Sequence, residues 1–285
     1  LERADKPFRN TISILKLGET AMGYIREIWR FLNSTEYEYK FVGKYGAKGE
    51  KRGKREKPTP EQIKKQNQRN RENRVRRLIK MNFHPNDLWV TLKYPAGVRK
   101  PMGEVKKEFQ GFLAAMRREY KKRGEPFKYI YRMEIGERGG IHIHILVNRL
   151  RGTPDTDIIV QTKWSHGRAN YVSIHEAGGY KDLAAYIVKQ PTEEIEGQLS
   201  LFPPEEQKVL CSYNSSRNLI RPEPERTEYK VRTVRKLVEE GPVPEEGYFI
   251  DVDSVRCGVN PYTGMSYLHY TECRIKEIHP REEGG

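Results

Sequence analysis

The chain has 285 residues, 36% hydrophobic and 32% charged, with a formal net charge of +14 and a pI near 9.5. That balance suits a surface-rich protein with a modest core and a polyanionic partner, nucleic acid ahead of a membrane surface. No apolar run approaches the roughly 20 residues of a membrane span, and three scattered cysteines (Cys211, Cys257, Cys273) fit neither a disulfide framework nor zinc spacing.

The first residues include Glu2, Arg3, Asp5 and Lys6 and show no signal-peptide pattern, so a cytoplasmic protein is expected. Met22, Ile25, Ile28, Trp29 and Leu32 fall at helical spacing and predict an amphipathic helix over Glu19–Leu32. Residues 44–58 read as a Gly-, Lys- and Arg-rich loop. Thr59-Pro60-Glu61-Gln62 is a helix start, with Thr as N-cap, Pro at the first position and Gln at the third. The helix should run to about Lys80. From Lys44 to Lys80 there are fifteen basic and four acidic residues, net +11, whereas Pro191–Gly285 holds twelve and eighteen, net −6. Candidate phosphate contacts are Lys51, Arg52, Lys54, Arg55, Lys64, Lys65, Arg69, Arg71 and Arg74. A solvated charged face is the alternative.

Asp87–Tyr94 is β-branched and aromatic and ends at Pro95, which predicts a strand. Val105, Phe109, Phe112, Leu113, Met116 and Tyr120 form one stripe and predict a helix over Glu104–Lys122. Further strands are expected at Ile158–Trp164 and Ala169–Ile174, and a helix from about Tyr180 to Gln190. Thr192–Arg226 has linker composition. Tyr248–Val255 and Met265–Cys273 flank a turn at 260–264 and predict a hairpin. A Gly-x-x-x-x-Gly-Lys-Ser/Thr loop is absent, so nothing points to an ATPase.

The most informative stretch is 134–148, Glu-Ile-Gly-Glu-Arg-Gly-Gly-Ile-His-Ile-His-Ile-Leu-Val-Asn. His142 and His144 leave a strand on one side, because side-chain period is two. If residues 136–140 turn the chain, Ile135 pairs with Ile141, Glu134 faces His142 and Arg132 faces His144. Paired residues share a face. One carboxylate and two imidazoles then converge as a candidate divalent-metal site with open positions. Glu137 is an alternative ligand, and structural histidines are the alternative to a site. Arg132 faces either phosphate or solvent.

On the helix after Tyr180, Asp182, Tyr186 and Lys189 lie at i, i+4 and i+7. Tyr186 beside Lys189 is a nucleophile candidate. With a pKa near 10, a free phenol is only about 0.1% ionised at neutral pH, so it needs a stabilising cation. Surface packing is the alternative for Tyr186. Tyr180, six residues earlier, falls on another face and suits packing or helix entry. Asp182 and Gln190 could approach the metal from the helix, while His166 and His175 read as surface or strand residues.

In this order the pieces resemble the HUH superfamily of single-strand DNA nickases, nearest to the rolling-circle replication initiators of plasmids and of single-stranded DNA viruses and phages. Trp89-Val90-Thr91-Leu92-Lys93-Tyr94-Pro95 resembles the first family motif, His142-Ile143-His144 the second and Tyr186-Ile187-Val188-Lys189 the third. Glu134 stands where many members place the third metal ligand, and Trp164-Ser165-His166-Gly167 resembles an intervening strand. Gln190-Pro191 departs from the aromatic or Gly that often follows the third motif.

The resemblance covers about 85–190. It implies an α+β fold with a central antiparallel sheet of about five strands and flanking helices. The expected division is a helical, basic DNA-binding extension over 1–84, a nuclease core over 85–191, and an acidic linker with a β-rich extension over 192–285. It implies Mn2+ or Mg2+ on Glu134, His142 and His144, Tyr186 as nucleophile through a 5′-phosphotyrosine, and Lys189 as its helper. The implied substrate is single-stranded or origin-hairpin DNA, with a host helicase or polymerase as further partners and no membrane. A bacterial plasmid, phage or mobile element is the implied source. A single-tyrosine transposase or mobilisation relaxase would use the same chemistry, and a non-catalytic basic nucleic-acid binder is the rival from another class.

Overall fold

The structure, a computed structural model, describes residues 23–43, 50–136, 139–150, 152–229 and 231–275. In chain order the elements are β1 (Tyr24–Arg30), β2 (Ser34–Phe41), α1 (Pro60–Asn82), β3 (Leu88–Lys93), α2 (Met102–Lys122), β4 (Tyr129–Ile135) and β5 (Ile141–Val147). They continue with α3 (Thr156–Lys163), β6 (Arg168–Ser173), α4 (Lys181–Val188), α5 (Glu193–Leu199), α6 (Pro204–Leu210) and β7 (Tyr213–Ser215). The last are β8 (Glu225–Tyr229), α7 (Val231–Glu240), β9 (Tyr248–Asn260) and β10 (Met265–Arg274). The fold is α+β, as expected, with two antiparallel five-stranded sheets.

The chain divides into two units. One joins Leu1–Lys57 to Pro224–Gly285, and the other is Pro58–Glu223. The borders expected at 84/85 and 191/192 both fall inside the second unit.

In the first unit the strand order is β8-β1-β2-β10-β9. The predicted helix over Glu19–Leu32 is corrected here: its described part is strand β1, and its first residues lie outside the described region. The helical spacing is present, but β1 gains a ladder on both sides, to β2 and β8. Tyr24 and Ile28 are buried on one face, while Leu32, the last member of the helical stripe, is 64% exposed. Aromatic and β-branched content with cross-strand partners overrides a weak helical pattern. Glu27 is buried between Lys40 (2.6 Å) and Arg226 (2.8 Å), which ties β1 to β2 and β8. The predicted C-terminal hairpin is present as β9 and β10.

The second unit has strand order β6-β3-β5-β4-β7. One face carries Leu88, Val90, Leu92, Ile143 and Ile145, which pack with Phe109, Phe112 and Met116 of α2 and Ile159 and Val160 of α3. On the other face Ile130 and Leu146 pack with Val75, Leu78 and Ile79 of α1 and Ala184, Ile187 and Val188 of α4. Helix α1 begins as predicted: Thr59 Oγ1 accepts from Gln62 N (3.3 Å), and Gln62 Oε1 accepts from Thr59 N (2.8 Å).

Two further expectations are corrected. Ile158–Trp164 is helix α3 rather than a strand; Asp155 caps its start, Ile159 and Val160 are buried, and Ile158 is exposed. Thr192–Arg226 is not a linker, since α5 and α6 send Leu199 and Leu210 into the core beside β4 and β7 pairs with β4. Sparse apolar residues suffice there because the core face is already built. Among the described residues no helix is long and apolar enough to cross a membrane.

Candidate active site

The β4–β5 register is the predicted one: Ile135 opposite Ile141, Glu134 opposite His142, Arg132 opposite His144. Strand β3 extends each row, with Lys93 opposite His142 and Thr91 opposite His144. Glu134, His142, His144, Thr91 and Lys93 therefore share the face on which α4 packs.

Helix α4 brings Tyr186 to this face. Ala184, Ile187 and Val188 are buried, so the tyrosine one position before Ile187 is carried over the polar row. The Tyr186 hydroxyl donates to Glu134 Oε1 at 2.6 Å and lies 3.1 Å from His144 Nε2. His144 Nε2 is 2.8 Å from the same Glu134 oxygen. Carboxylate, imidazole and phenol thus form a closed triangle. Lys189 Nζ stands 4.6 Å from the Tyr186 ring centroid and 3.5 Å from Glu134 Oε2. Although α4 ends at Val188, the i, i+3 relation of Tyr186 and Lys189 survives.

The electrostatics follow from these contacts. Burial raises the Glu134 pKa, but hydrogen bonds from His144 and Tyr186 outweigh it and bring it down to about 2. The Tyr186 phenol is pushed up, first by burial, then by its hydrogen bond to Glu134 and the charge of that carboxylate, with Arg132 opposing. Burial lowers the His142 pKa, which favours the neutral imidazole that a metal requires. As it stands the site holds an ionised Glu134 and a protonated Tyr186.

Donor chemistry fits a divalent cation in part. Two ligands about 2.1 Å from one ion and roughly at right angles lie about 3 Å apart, close to the 2.8 Å between Glu134 Oε1 and His144 Nε2. His142 does not yet join them. Its ring centroid is 6.4 Å from that of His144, and among the described residues no three His, Cys, Asp or Glu side chains are placed to share an ion. The half-buried His142 would have to turn toward the pair.

Several expected residues are placed differently. Arg132 is 3% exposed and gives its guanidinium to the carbonyls at the end of α4, so the expectation of a phosphate or solvent contact is corrected. Tyr180 is buried in the α1–α4 core at the start of α4, the packing role expected. Asp182 and Gln190 line an open cleft of about 520 Å³ with Gln68, Glu72, Ala185, Tyr186 and Lys189. His166 lies 3.5 Å from Glu108, and His175 is exposed. Glu137 lies outside the described residues.

The basic candidates divide between the units. Lys51, Lys54 and Arg55 are exposed in the first unit, where Arg52 lies over the Phe41 ring and Arg55 bonds the Tyr262 carbonyl. Lys64, Lys65, Arg69, Arg71 and Arg74 are exposed on α1 in the second.

Sequence reasoning missed three contributors. Thr91 Oγ1 is 3.1 Å from His144 Nδ1. Trp89 stacks on the His144 ring (5.7 Å, 16°) and meets Tyr186 edge-on (5.8 Å, 86°). Gln68 reaches from α1 to the Val188 carbonyl at 3.1 Å and forms the far wall of the cleft. The alternation Trp89, Thr91, Lys93 signals one face of β3, but the pairing of β3 with β5 has no local signature.

An antiparallel sheet bearing a carboxylate, two imidazoles and a helix-borne phenol defines a class of site suited to phosphoryl transfer. Residues 87–191, which hold all of these groups, match the model of a replication-associated protein family, the ORF2 type. That match supports a replication initiator protein. No curated protein and no solved structure matches the chain.

Proposed function

We propose that the chain nicks and rejoins single-stranded DNA at a replication origin and so starts rolling-circle replication, with Tyr186 as nucleophile. The observation that carries the proposal is the Tyr186 hydroxyl, which touches both Glu134 and His144. A phenol packed only for stability has no need of a carboxylate shared with an imidazole, on a face the sequence marks with His142 as well.

In this reading Glu134, His144 and, after turning, His142 hold Mn2+ or Mg2+, with the mixed nitrogen and oxygen set favouring Mn2+. The cation supplies charge to the scissile phosphate and neutralises the carboxylate that now raises the Tyr186 pKa. The Tyr186 oxygen attacks phosphorus as its proton leaves, a phosphorus–oxygen bond to tyrosine forms, and the bond to the 3′ oxygen breaks. The products are a 5′-phosphotyrosine and a free 3′-hydroxyl. Lys189 stabilises the phenolate from one side of the ring. Rejoining reverses these bonds. The match to the replication-associated family favours a replication role over a transposase or mobilisation relaxase using the same chemistry. Without a nucleotide-binding loop in the sequence, unwinding falls to a separate helicase.

The test is a labelled origin-hairpin oligonucleotide incubated with the protein and Mn2+ and resolved on a denaturing gel. A slow covalent band is expected, abolished by Tyr186→Phe and retained by Tyr180→Phe. A band that survives Tyr186→Phe assigns the nucleophile elsewhere.

A further inference from the structure

A single buried cation touches both the strand and the helix that build the site. The Arg132 guanidinium on β4 donates from Nη1 to the carbonyl oxygens of Tyr186 (2.9 Å), Ile187 (3.1 Å) and Lys189 (3.2 Å). The last carbonyls of a helix lack intrahelical donors, and a cation there opposes the negative end of the helix dipole. The ordinary solution at such an end is a glycine or asparagine cap. Here a charged side chain is buried to do it, which is costly unless the charge has a partner.

The partner is in the site. Arg132 Nε lies 3.6 Å from Glu134 Oε2 and, among the described residues, has no hydrogen-bond acceptor. A buried N–H without an acceptor is uncommon. It leaves a donor directed along the strand at the carboxylate that receives the Tyr186 hydroxyl. Glu134 and Arg132 are two apart on β4 and so share a face. The same side chain therefore grips the last turn of α4 with one end and flanks Glu134 with the other.

We infer that Arg132 is a positioning residue, holding the α4 backbone at Tyr186 in register with Glu134 so that hydroxyl and carboxylate stay within bonding distance. The inference rests on the reading of Tyr186 as nucleophile and adds to it the device that places it. A lysine cannot replace it fully, because a single ammonium lacks the planar fork that serves several acceptors at once.

The test uses the full chain with Arg132→Ala and Arg132→Lys. Single-turnover adduct formation in Arg132→Ala should fall about 100-fold, the effect of a misplacement near 1 Å, while oligonucleotide affinity stays unchanged. Added methylguanidinium should restore most of the rate to Arg132→Ala and none to Tyr186→Phe. Arg132→Lys should fall between, and it carries the same measurements if the alanine variant does not fold. An unchanged rate, or a loss that follows DNA affinity and resists rescue, overturns the inference. A second readout needs no chemistry. With 3-fluorotyrosine at position 186, the fluorine resonance should move toward its unfolded value in the variant and return with methylguanidinium; an unmoved resonance also overturns it. If the unaltered chain forms no adduct yet the resonance responds, the nucleophile reading fails while the positioning role stands.

Discussion

His144 is held through both ring nitrogens, and each nitrogen constrains the other. With Glu134 ionised, the 2.8 Å contact to Nε2 requires a proton on Nε2, so Nδ1 of a neutral ring accepts from the Thr91 hydroxyl. A cation on Nε2 demands the opposite tautomer, with Nδ1–H donating to Thr91. A hydroxyl rotates to serve either state, whereas a carbonyl could serve only one. Thr91→Val keeps the β-branched shape and removes this adaptability. Metal affinity should fall about 10- to 100-fold, the usual cost of losing a group that orients a ligand. Calorimetric titration with Mn2+ reads it, and an affinity equal to that of the unaltered chain would falsify this role. The ligand residues were legible in the sequence because a two-residue period and a Gly-rich turn set their register locally. Thr91 was not, since its relation to His144 spans 53 positions and depends on which strand pairs with β5. Arg132 was half legible: its row was right, but only the packed position of α4 shows what its guanidinium touches.

At the scale of the element, α1 is two helices in one. Its C-terminal part buries Val75, Leu78 and Ile79 against α4, and its N-terminal part projects exposed charge. The capping box made its start readable, and its charge runs marked the polar half. What composition could not say is which charges border the site. Gln68 and Glu72 line the cleft beside Tyr186. On a helix Lys65, Arg69 and Glu72 fall at i, i+4 and i+7, so the first two flank that wall, whereas Arg71 and Arg74 lie around the other side. Changing Lys65 and Arg69 together to Gln should reduce the slope of log affinity against log salt by about 1.4 for single-stranded DNA, at about 0.7 per phosphate contact. The Arg71 and Arg74 pair should leave the slope nearly intact. Fluorescence anisotropy across a salt titration separates the pairs, and equal losses would mean that the strand does not follow the cleft. Where element prediction failed, at β1 and α3, the residues were β-branched or aromatic and only their neighbours decided between strand and helix.

For the whole molecule, the organisation differs from three consecutive segments because one unit is interrupted by the other. Sequence composition shifts gradually along a chain, so it has no marker for a unit whose two parts lie more than 160 positions apart, at 1–57 and 224–285. The cores nonetheless follow the division. Every residue of the two clusters around β3, β4 and β5 falls between 75 and 219, and every residue of the tyrosine-rich cluster falls outside that span. Glu134, His142, His144, Tyr186, Lys189, Thr91 and Arg132 all belong to Pro58–Glu223. A unit with its own core and a size in the ordinary domain range should fold alone. A fragment spanning 58–223 should therefore melt cooperatively and still form the Mn2+-dependent adduct at Tyr186, while losing the share of DNA affinity supplied by Lys51, Lys54 and Arg55. Differential scanning calorimetry and the denaturing-gel assay check the two halves of that statement. A fragment that aggregates or lacks a cooperative transition would show that the interrupted unit is needed for the core itself. A folded fragment that makes no adduct, beside a full chain that does, would place a missing part of the chemistry in the other unit.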